Sequence, residues 1–293
     1  MERYGLIGCG ISQSLSKKIH EFSAGLQNRN LTYEIINLSS EKHLLKYMEQ
    51  LRAGYWQGFN ITTPFKSAVI SHLDHANTAS INTLWTQNGK LYGDSTDGLG
   101  FEKGLDLLDT PMSQLKKIGF LGSGGAVLGI LEHLLAQSSG HRGSTLIFLV
   151  RNLQSKSVET ILDFCQIHSL KYEITNQVSE FILKFQPSDE DQKKRLDEDI
   201  SFRADRLLVN AVPKSESLPW NAHELISQIS KNIAFYDLTY GAMRSSLYSL
   251  AKRHFVKVTD GLPMLIEQAR QSEKIWWGSC PSYEKISGCL NMD

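Results

Sequence analysis

The sequence has little of what marks membrane, secreted or nucleic-acid-binding proteins. Its 4 cysteines show neither CxxC spacing nor clustering with histidines, which favours four reduced thiols over a disulfide framework or a metal site. No stretch approaches the ~18 apolar residues of a membrane span, and no basic segment followed by an apolar one opens the chain, so we expect a cytoplasmic protein. Lys and Arg number 31, as do Asp and Glu, so no net field attracts nucleic acid.

What is present is the composition of a globular protein large enough for two domains. Hydrophobic residues make up 41% of the chain and charged residues 21%, which are ordinary values for a folded domain. A length of 293 residues exceeds the usual size of one domain. We therefore expect two domains of about 100 to 170 residues each.

The first hundred residues alternate strand and helix patterns and then form a hairpin. The predicted elements are a strand over 3–8, a helix over 16–26, a strand over 31–38, a helix over 41–51 and a strand over 58–62. An Asn-Gly pair at 88–89 then joins two strand patterns, 83–87 and 90–95, into a hairpin. The hairpin ends just before Asp97.

A second alternating series follows a bridging helix around 100–108. Its predicted elements are strands over 116–122, 144–150, 171–175, 206–211 and 233–240, with helices over 124–137 and 245–255. Short apolar runs between amphipathic helices indicate a parallel sheet buried on both faces, as in a Rossmann-like domain. The mixed-charge stretch between Gln186 and Arg206 indicates a solvated loop or exposed helix, and no function is assigned to it.

The chain closes with a predicted helix over 260–278 whose apolar face could pack on the first domain. The fold class is therefore α/β, with a mixed-sheet domain and a Rossmann-like domain. We place the first domain at residues 1–98 plus 262–293 and the second at 99–261.

Lys66 stands at an unusual place, directly after a short strand and Pro64. One interpretation makes it a solvated charge at the start of a surface helix over 65–74, because Phe65, Val69 and Leu73 follow at helical spacing. The other places it at the carboxyl end of a strand, facing a crevice, where open α/β sheets collect ligands. The stretch alone leaves both interpretations open.

A glycine-rich turn at 122–125 indicates a dinucleotide site. A predicted strand ends at Gly122, and Gly124 and Gly125 open a helix whose positive end can meet a pyrophosphate. The strand before and the helix after are what give this motif its weight. Val127 replaces the third small residue of the fingerprint, so we expect less close packing of helix on sheet there.

The next strand ends in Arg151, where an NAD-binding chain would usually carry an acidic residue. A guanidinium suits a 2′-phosphate by charge and by stacking on adenine, so NADP is favoured over NAD. Lys156 could add a second charge, although an ordinary helix-surface lysine is the simpler reading.

Polar residues in the first domain form a different set. Ser14 and Ser16 precede a predicted helix and could hold a carboxylate there, whereas the alternative is that Ser16 caps the helix. Asn82 is expected to follow a short helix, and Asp97 ends the hairpin. Either residue alone would more often serve as a cap or a turn residue.

Taken in order, these motifs resemble those of the shikimate dehydrogenase family over nearly the whole chain. The similar segments are "YGLIGCGISQSLSKKIH", "NITTPFK", "SINTL", "GDSTDG", "GSGGAV" with "VRN", "VNAVP", "YDLTY" and "DGLPMLIEQA". The sequence departs from the family pattern at Gln13 and Lys17, where histidine and proline are usual, and at Gly10, Val150 and Asn152. These changes indicate a diverged member and remove no proposed catalytic group.

The resemblance implies a role for each matching residue. Lys66 and Asp97 would form the catalytic pair. The substrate-binding residues would be Ser14, Ser16, Thr62, Asn82, Tyr240 and Gln268. The NADP site would comprise Gly122, Gly124, Gly125, Ala126, Arg151 and Gly261. The family fold places a substrate domain and a Rossmann domain across a cleft.

The function implied is reversible, NADPH-dependent reduction of 3-dehydroshikimate to shikimate in aromatic amino acid biosynthesis. A quinate/shikimate dehydrogenase using NAD(P), or a dehydrogenase of a related polyol acid, is the alternative within the enzymes, and Ser16 leans towards shikimate. A third hypothesis is a binding paralogue without turnover. The presence of both Lys66 and Asp97 argues against it, because a pure sensor need not keep this pair. We expect a small-molecule substrate, no nucleic acid, no membrane, and a monomer or homodimer.

Overall fold

The computed structural model describes residues 1–136, 143–186, 204–213 and 220–290. Most of the mixed-charge stretch between Gln186 and Arg206 lies outside these residues, so its predicted character is not tested. The chain forms two compact units. The first comprises Met1–Lys103, Leu128–His133 and Pro263–Asp293, and the second comprises Gly104–Val127 and Leu134–Leu262.

Twelve strands run through the described residues. In chain order they are β1 (Glu2–Gly8), β2 (Leu31–Asn37), β3 (Gly58–Ile61), β4 (His75–Ala76), β5 (Thr83–Gln87), β6 (Lys90–Asp94), β7 (Lys117–Leu121), β8 (Thr145–Leu149), β9 (Lys171–Thr175), β10 (Arg206–Asn210), β11 (Ala234–Asp237) and β12 (Lys257–Thr259).

Ten α-helices lie in the same part of the chain. They are α1 (Ser16–Leu26), α2 (Leu44–Arg52), α3 (Asp97–Leu107), α4 (Gly125–Ala136), α5 (Lys156–Ile167), α6 (Val178–Phe185), α7 (Ala222–Gln228), α8 (Ser246–His254), α9 (Leu262–Trp277) and α10 (Tyr283–Leu290). None of these described helices is long and apolar enough to cross a bilayer.

The sheet of the first unit is mixed, as predicted. Its strand order is β2-β1-β3-β5-β6-β4. β1 pairs in parallel with β2 and β3, which fits the crossover helices α1 and α2, whereas β5 pairs antiparallel with β3 and β6 through the predicted hairpin. The carboxyl end of β3 and the end of the hairpin therefore deliver Lys66 and Asp97 from one sheet.

One of the two open interpretations and one local prediction in this unit are wrong. The helix expected over 65–74 is only a short 3-10 turn over Ala68–His72, and Lys66 precedes it in a buried position. The short helix expected before Asn82 is also missing, because β4 pairs with β6 at His75–Ala76 and residues 77–80 after it form bends. In both places, tertiary pairing and core packing override the local helical spacing.

The sheet of the second unit has the order β12-β11-β10-β7-β8-β9, and every neighbouring pair is parallel. Read from β9, this is the doubly wound order of a Rossmann fold, so the predicted class is confirmed. The apolar strand residues are buried between helices, for example Leu121 against Phe181 and Phe185 of α6. Val127, the departure from the fingerprint, is fully buried.

The returning helix α9 belongs to the first unit for nearly all of its length, as predicted. The indole Nε1 of Trp276 donates to the carbonyl oxygen of Leu84 on β5 at 2.9 Å. Ile266 and Ala269 are buried on the apolar face of α9. Ser272 and Glu273, two polar residues, are completely buried on the same helix.

Candidate active site

The side chains of Lys66 and Asp97 meet in the first unit. Lys66 follows β3 in a turn anchored by Phe65, whose ring is buried in the core, and Asp97 is the first residue of α3. Lys66 Nζ lies 2.5 Å from Asp97 Oδ2. The two residues are 8% and 1% exposed, so the interpretation of Lys66 as a solvated surface charge is wrong.

The other carboxylate oxygen of Asp97 is held by two amides. Asn82 Nδ2 donates to Asp97 Oδ1 at 3.0 Å, and Gln268 Nε2 of α9 donates to the same oxygen. Both oxygens of the carboxylate therefore accept hydrogen bonds, and together the donors prevent it from rotating away from Lys66. Charge-assisted bonds of this kind are the stronger ones in proteins. The structure thus brings together four of the residues predicted from sequence.

Asn82 is itself fixed by two threonines that sequence reasoning missed. The backbone N–H of Thr96 donates to Asn82 Oδ1 at 2.9 Å, and Thr83 Oγ1 donates to the same atom at 2.9 Å. Asn82 Nδ2 donates to Thr96 Oγ1 at 3.0 Å. Their only sequence signal is adjacency to Asn82 and Asp97, because a buried threonine in a strand or next to one also reads as ordinary packing.

Helix α4 approaches Asp97 at Gly129. A Cβ atom built on Gly129 would lie 3.0 Å from Asp97 Oδ2 and 2.9 Å from Ser95 Oγ. Any larger residue would have to displace one of these atoms, so glycine lets the helix close over the carboxylate. This contact lies within the first unit, which includes Leu128–His133.

Ser14 and Ser16 form a second polar group at the start of α1. Ser14 Oγ lies 3.0 Å from Ser16 Oγ and accepts from the backbone N–H of Ser16 at 3.3 Å. The capping alternative for Ser16 is wrong, because Leu15 occupies the N-cap position and no side-chain cap bond forms. Thr62, half-buried after β3, packs its methyl group over Gly8.

Glu132 of α4 is a carboxyl group that sequence reasoning did not single out. Burial raises the pKa of Glu132, the Ala79 N–H opposes this, and the charges of Asp97 and Asp94 raise the pKa further. Its Oε1 accepts the backbone N–H of Ala79 at 2.6 Å. Glu132 therefore ties α4 to the loop before Asn82.

The predicted nucleotide loop lies in the second unit. It turns at Gly122, whose φ of +96° favours glycine, and α4 begins at Gly125. A Cβ built on Gly124 would meet no atom within 4 Å, so a ligand can approach the backbone closely at this helix start. The loop, which continues through Ala126, thus fits a dinucleotide pyrophosphate.

Arg151 is exposed directly after β8, in the same unit. Three serine hydroxyls of this unit lie close together: Ser157 Oγ is 2.9 Å from Ser123 Oγ and 3.2 Å from Ser155 Oγ. Ser155 also caps α5. A guanidinium together with hydroxyl donors fits a phosphate group better than the ribose diol of NAD. Lys156, the first residue of α5, is also exposed.

Gly261 and Tyr240 also lie in the second unit. A Cβ on Gly261 would sit 2.2 Å from the carbonyl oxygen of Leu238, so only glycine fits this backbone contact. Tyr240 is half-buried and precedes the 3-10 turn Gly241–Met243. The structure therefore separates the predicted site residues into a set in each unit.

The first set can donate a proton to a bound oxygen. Lys66 carries ammonium donors, and the fixed carboxylate beside it keeps that nitrogen in place. The second set offers backbone donors at a helix start and an exposed guanidinium. A proton donor and a dinucleotide that donates hydride are the two components that reduction of a carbonyl group requires.

Known proteins are similar to this chain over its whole length. The family model of the shikimate dehydrogenase substrate binding domain matches residues 6–83. A shikimate dehydrogenase (NADP(+)) from Colwellia psychrerythraea is 28% identical over 97% of this chain and 94% of its own length. The crystal structure of shikimate dehydrogenase from Aquifex aeolicus is 26% identical, with a TM-score of 0.77 over 100% of this chain and 98% of the other.

A structure of shikimate 5-dehydrogenase from Thermus thermophilus, in complex with NADP(H) and shikimate, has a similar fold. It is 24% identical, with a TM-score of 0.75 over 99% of both chains. Fold and site define a two-unit α/β protein with a Rossmann-type nucleotide-binding unit and a buried lysine–aspartate site. The similarity to shikimate dehydrogenases that the sequence motifs predicted is confirmed over nearly the whole chain.

Proposed function

We propose that the protein is an NADP-dependent oxidoreductase that reversibly reduces 3-dehydroshikimate to shikimate. The observation that carries this proposal is the buried contact between Lys66 Nζ and Asp97 Oδ2, with Asn82 and Gln268 on the other carboxylate oxygen. The relatives matched over 97% of this chain include a shikimate dehydrogenase (NADP(+)).

Lys66 is the proposed general acid. As the ketone is reduced, negative charge develops on its oxygen, and a lysine N–H donor can stabilise that charge and deliver the proton. Asp97 cannot replace Lys66 as donor while it accepts hydrogen bonds at both oxygens. We assign it to orient the ammonium, and in the reverse reaction the neutral Lys66 amine accepts the proton of the shikimate hydroxyl.

The cofactor, when bound, supplies the hydride that the ketone carbon accepts. We propose that the residues that hold it are Gly122, Gly124, Gly125, Ala126, Arg151 and Gly261. Arg151 would select NADP by its charge, and the Gly124 backbone would admit the pyrophosphate.

The substrate would be held by its carboxylate and its ring hydroxyls. Ser14 and Ser16 form a hydroxyl pair suited to the carboxylate. We propose that Thr62, Asn82 and Gln268 contact ring hydroxyls and that Tyr240 lines the carboxylate side. We further propose that residues 1–98 plus 262–293 form the substrate domain and residues 99–261 the NADP domain.

We also propose a cytoplasmic location, where the free thiols of all four cysteines would stay reduced. The balanced charge supports the absence of a nucleic-acid partner. A monomer or homodimer is proposed, and sedimentation at several protein concentrations would distinguish the two states.

A spectrophotometric assay tests the function. The purified protein should form NADPH from NADP and shikimate, and should do so faster than it forms NADH from NAD. Quinate should be oxidised more slowly than shikimate. A preference for quinate with NAD would establish the alternative quinate/shikimate dehydrogenase, and binding of shikimate without turnover would establish the binding paralogue.

A further inference from the structure

A second buried polar cluster of the first unit takes no part in the proton transfer proposed for Lys66 and Asp97. His20 of α1 and Glu273 of α9 face each other, with His20 Nδ1 2.9 Å from Glu273 Oε1. The two side chains are 1% and 0% exposed. On its other side, His20 Nε2 lies 3.1 Å from Asn60 Oδ1 of β3. This cluster therefore links two helices to the strand that leads to Lys66.

The hydrogen bonds of Asn60 determine which ring nitrogen of His20 carries a proton. Asn60 Nδ2 lies 3.1 Å from the backbone oxygen of Asn82, which can only accept, so the amide nitrogen of Asn60 is fixed on that side. Asn60 Oδ1 then faces His20, and it also accepts the hydroxyl of Tyr33 at 2.7 Å. Because an amide oxygen only accepts, His20 Nε2 must carry a hydrogen.

The contact between His20 Nδ1 and Glu273 Oε1 then requires one proton, because one of the two atoms must donate to the other. That proton resides on His20 Nδ1, which then donates to the Glu273 carboxylate, or on Glu273, which then donates to Nδ1. The pair has no net charge in either form. A single unpaired charge in this dry position would be strongly unfavourable, so removing one partner alone penalises the other.

From Asn60 the hydrogen bonds continue to the proposed site. Asn60 Nδ2 donates to Ser272 Oγ at 2.9 Å and lies 3.3 Å from Thr83 Oγ1. Thr83 Oγ1 in turn donates to Asn82 Oδ1 at 2.9 Å. Asn60 thus contacts both the backbone of Asn82 and the threonine that fixes its side chain. Asn82 then holds Asp97 Oδ1.

Packing alone does not account for this cluster. A buried ionic pair contributes no more stability than apolar side chains of similar volume in many proteins. The His20 ring is stacked on Tyr33 with a centroid separation of 4.5 Å, a contact that phenylalanine could also make. The distinct property of the pair is the donor that it presents to Asn60.

We propose that His20 and Glu273 are positioning residues for the Asn82–Asp97–Lys66 site and act through Asn60. The pair fixes the Nε2–H form of His20, which holds the Asn60 amide in the one orientation that supports Asn82. This inference rests on the proposed function for its kinetic consequences, and its structural part stands independently.

The main test replaces both members together, with His20→Phe and Glu273→Leu, so that no buried charge remains. Turnover of shikimate should fall about tenfold, because misplacement of a catalytic group by a fraction of an ångström has effects of this order. The KM for shikimate should rise, while the KM for NADP should stay unchanged. Glu273→Gln with His20 retained keeps the Nε2–H donor and should recover most of the loss.

A core truncation in the same unit serves as the matched control. Met48→Ala removes a buried apolar side chain of α2 that is not one of the cluster's polar residues, and it should lower the melting temperature while leaving both KM values and kcat unchanged at 25 °C. Equal kcat in the double variant and the control would overturn the proposal. So would a loss in Glu273→Gln as large as in the double variant.

Two further measurements decide the matter if the double variant does not fold or the wild type is inactive. Asn60→Ala leaves the His20–Glu273 pair in place and should lower kcat to a similar degree, and an unchanged kcat would overturn the proposal. ¹⁵N NMR of labelled histidine in the wild type should show His20 Nε2 protonated. An unprotonated Nε2 would overturn the proposal even if no shikimate activity were found, whereas a protonated Nε2 in an inactive protein would reject only the proposed function.

Discussion

The two units present their functional groups in opposite ways. In the first unit, Asp97, Asn82 and Lys66 are all buried, and each is hydrogen bonded to another member of the site. In the second unit, the groups expected to bind nucleotide are an open glycine backbone and an exposed Arg151. Hydrogen bonds among its own residues hold the first site, whereas the second offers exposed binding groups at the carboxyl ends of parallel strands.

This difference implies two classes of mutational effect. A change in the buried site should lower turnover, because orientation is lost where the reaction takes place. A change in the exposed site should weaken the binding of the cofactor and leave the fold intact. The comparison would fail if a change in the buried site weakened only cofactor binding, or if a change in the exposed site lowered only turnover.

Among the variants that test this comparison, Asp97→Asn should have the largest effect. Three donors converge on the carboxylate, from Lys66, Asn82 and Gln268, and an amide offers only one accepting oxygen to them. The side-chain NH₂ group introduced by the substitution must then face one of these donors. We therefore expect kcat to fall by roughly 10²- to 10⁴-fold, the range typical of lost acid–base function. Steady-state kinetics measures this, and Asp106→Asn, an exposed carboxylate on the same helix, is the control. Equal kinetics in the two variants would contradict the account.

Arg151→Ala should have the next largest effect. Loss of a charged hydrogen bond to phosphate should weaken the binding of NADPH by about tenfold to a hundredfold, and the affinity for NADH should change little. Fluorescence titration with both cofactors measures this. The matched variant Lys156→Ala tests whether that lysine is an ordinary surface residue, in which case NADPH affinity is nearly unchanged. An NADPH affinity unaffected by Arg151→Ala would remove the basis for NADP selection.

Gly129→Ala and Gly25→Ala compare two helix glycines with different surroundings. A Cβ on Gly25 would meet no atom within 4 Å, so this change should stabilise the protein by up to about 1 kcal/mol through helix propensity. A Cβ on Gly129 would collide with Ser95 and Asp97, so the gain should be lost and kcat should fall severalfold. Denaturant unfolding and kinetics of both variants measure these effects, and equal kcat values would argue against close control of Asp97 by α4.

Glu132→Gln should have the smallest effect, and a pH-dependent one. Because burial and nearby carboxylates raise the pKa of Glu132 above its unfolded value, ionisation in the folded state is unfavourable. The wild type therefore loses stability as pH rises from the unfolded pKa through the folded pKa, and the variant does not. The variant's advantage in unfolding midpoint should be near zero at acid pH and larger at pH 8. An advantage that is constant with pH would contradict the cause assigned to the shift.

Much of the fold could be predicted because its signals are local. The helix over 16–26 and the strand over 171–175 have the predicted bounds, since each combines a clear apolar period with turn residues at its ends. The segment after Pro64 was ambiguous for the same reason. Phe65 and Val69 have helical spacing, yet both are buried in the core beside a chain that extends to pair with β6. Long-range contacts decided its structure.

The candidate site shows where local signals end. Lys66 and Asp97 were found through ordered motifs, because neither residue is distinctive alone. His20 and Glu273 were missed because polar residues on the amphipathic helices α1 and α9 read as solvent-facing. Only the tertiary fold shows that both are buried and paired over 253 positions of sequence. The placement of every proposed ligand contact remains a prediction.

The most direct test of the central claim is the turnover of Lys66→Ala with shikimate and NADP. The account predicts a fall of roughly 10²- to 10⁴-fold in kcat, with NADPH affinity unchanged, because the variant loses the proton donor and no cofactor contact. Lys90→Ala, an exposed lysine on β6, should match the wild type. Near-normal turnover by Lys66→Ala would contradict the assignment of Lys66 as the general acid.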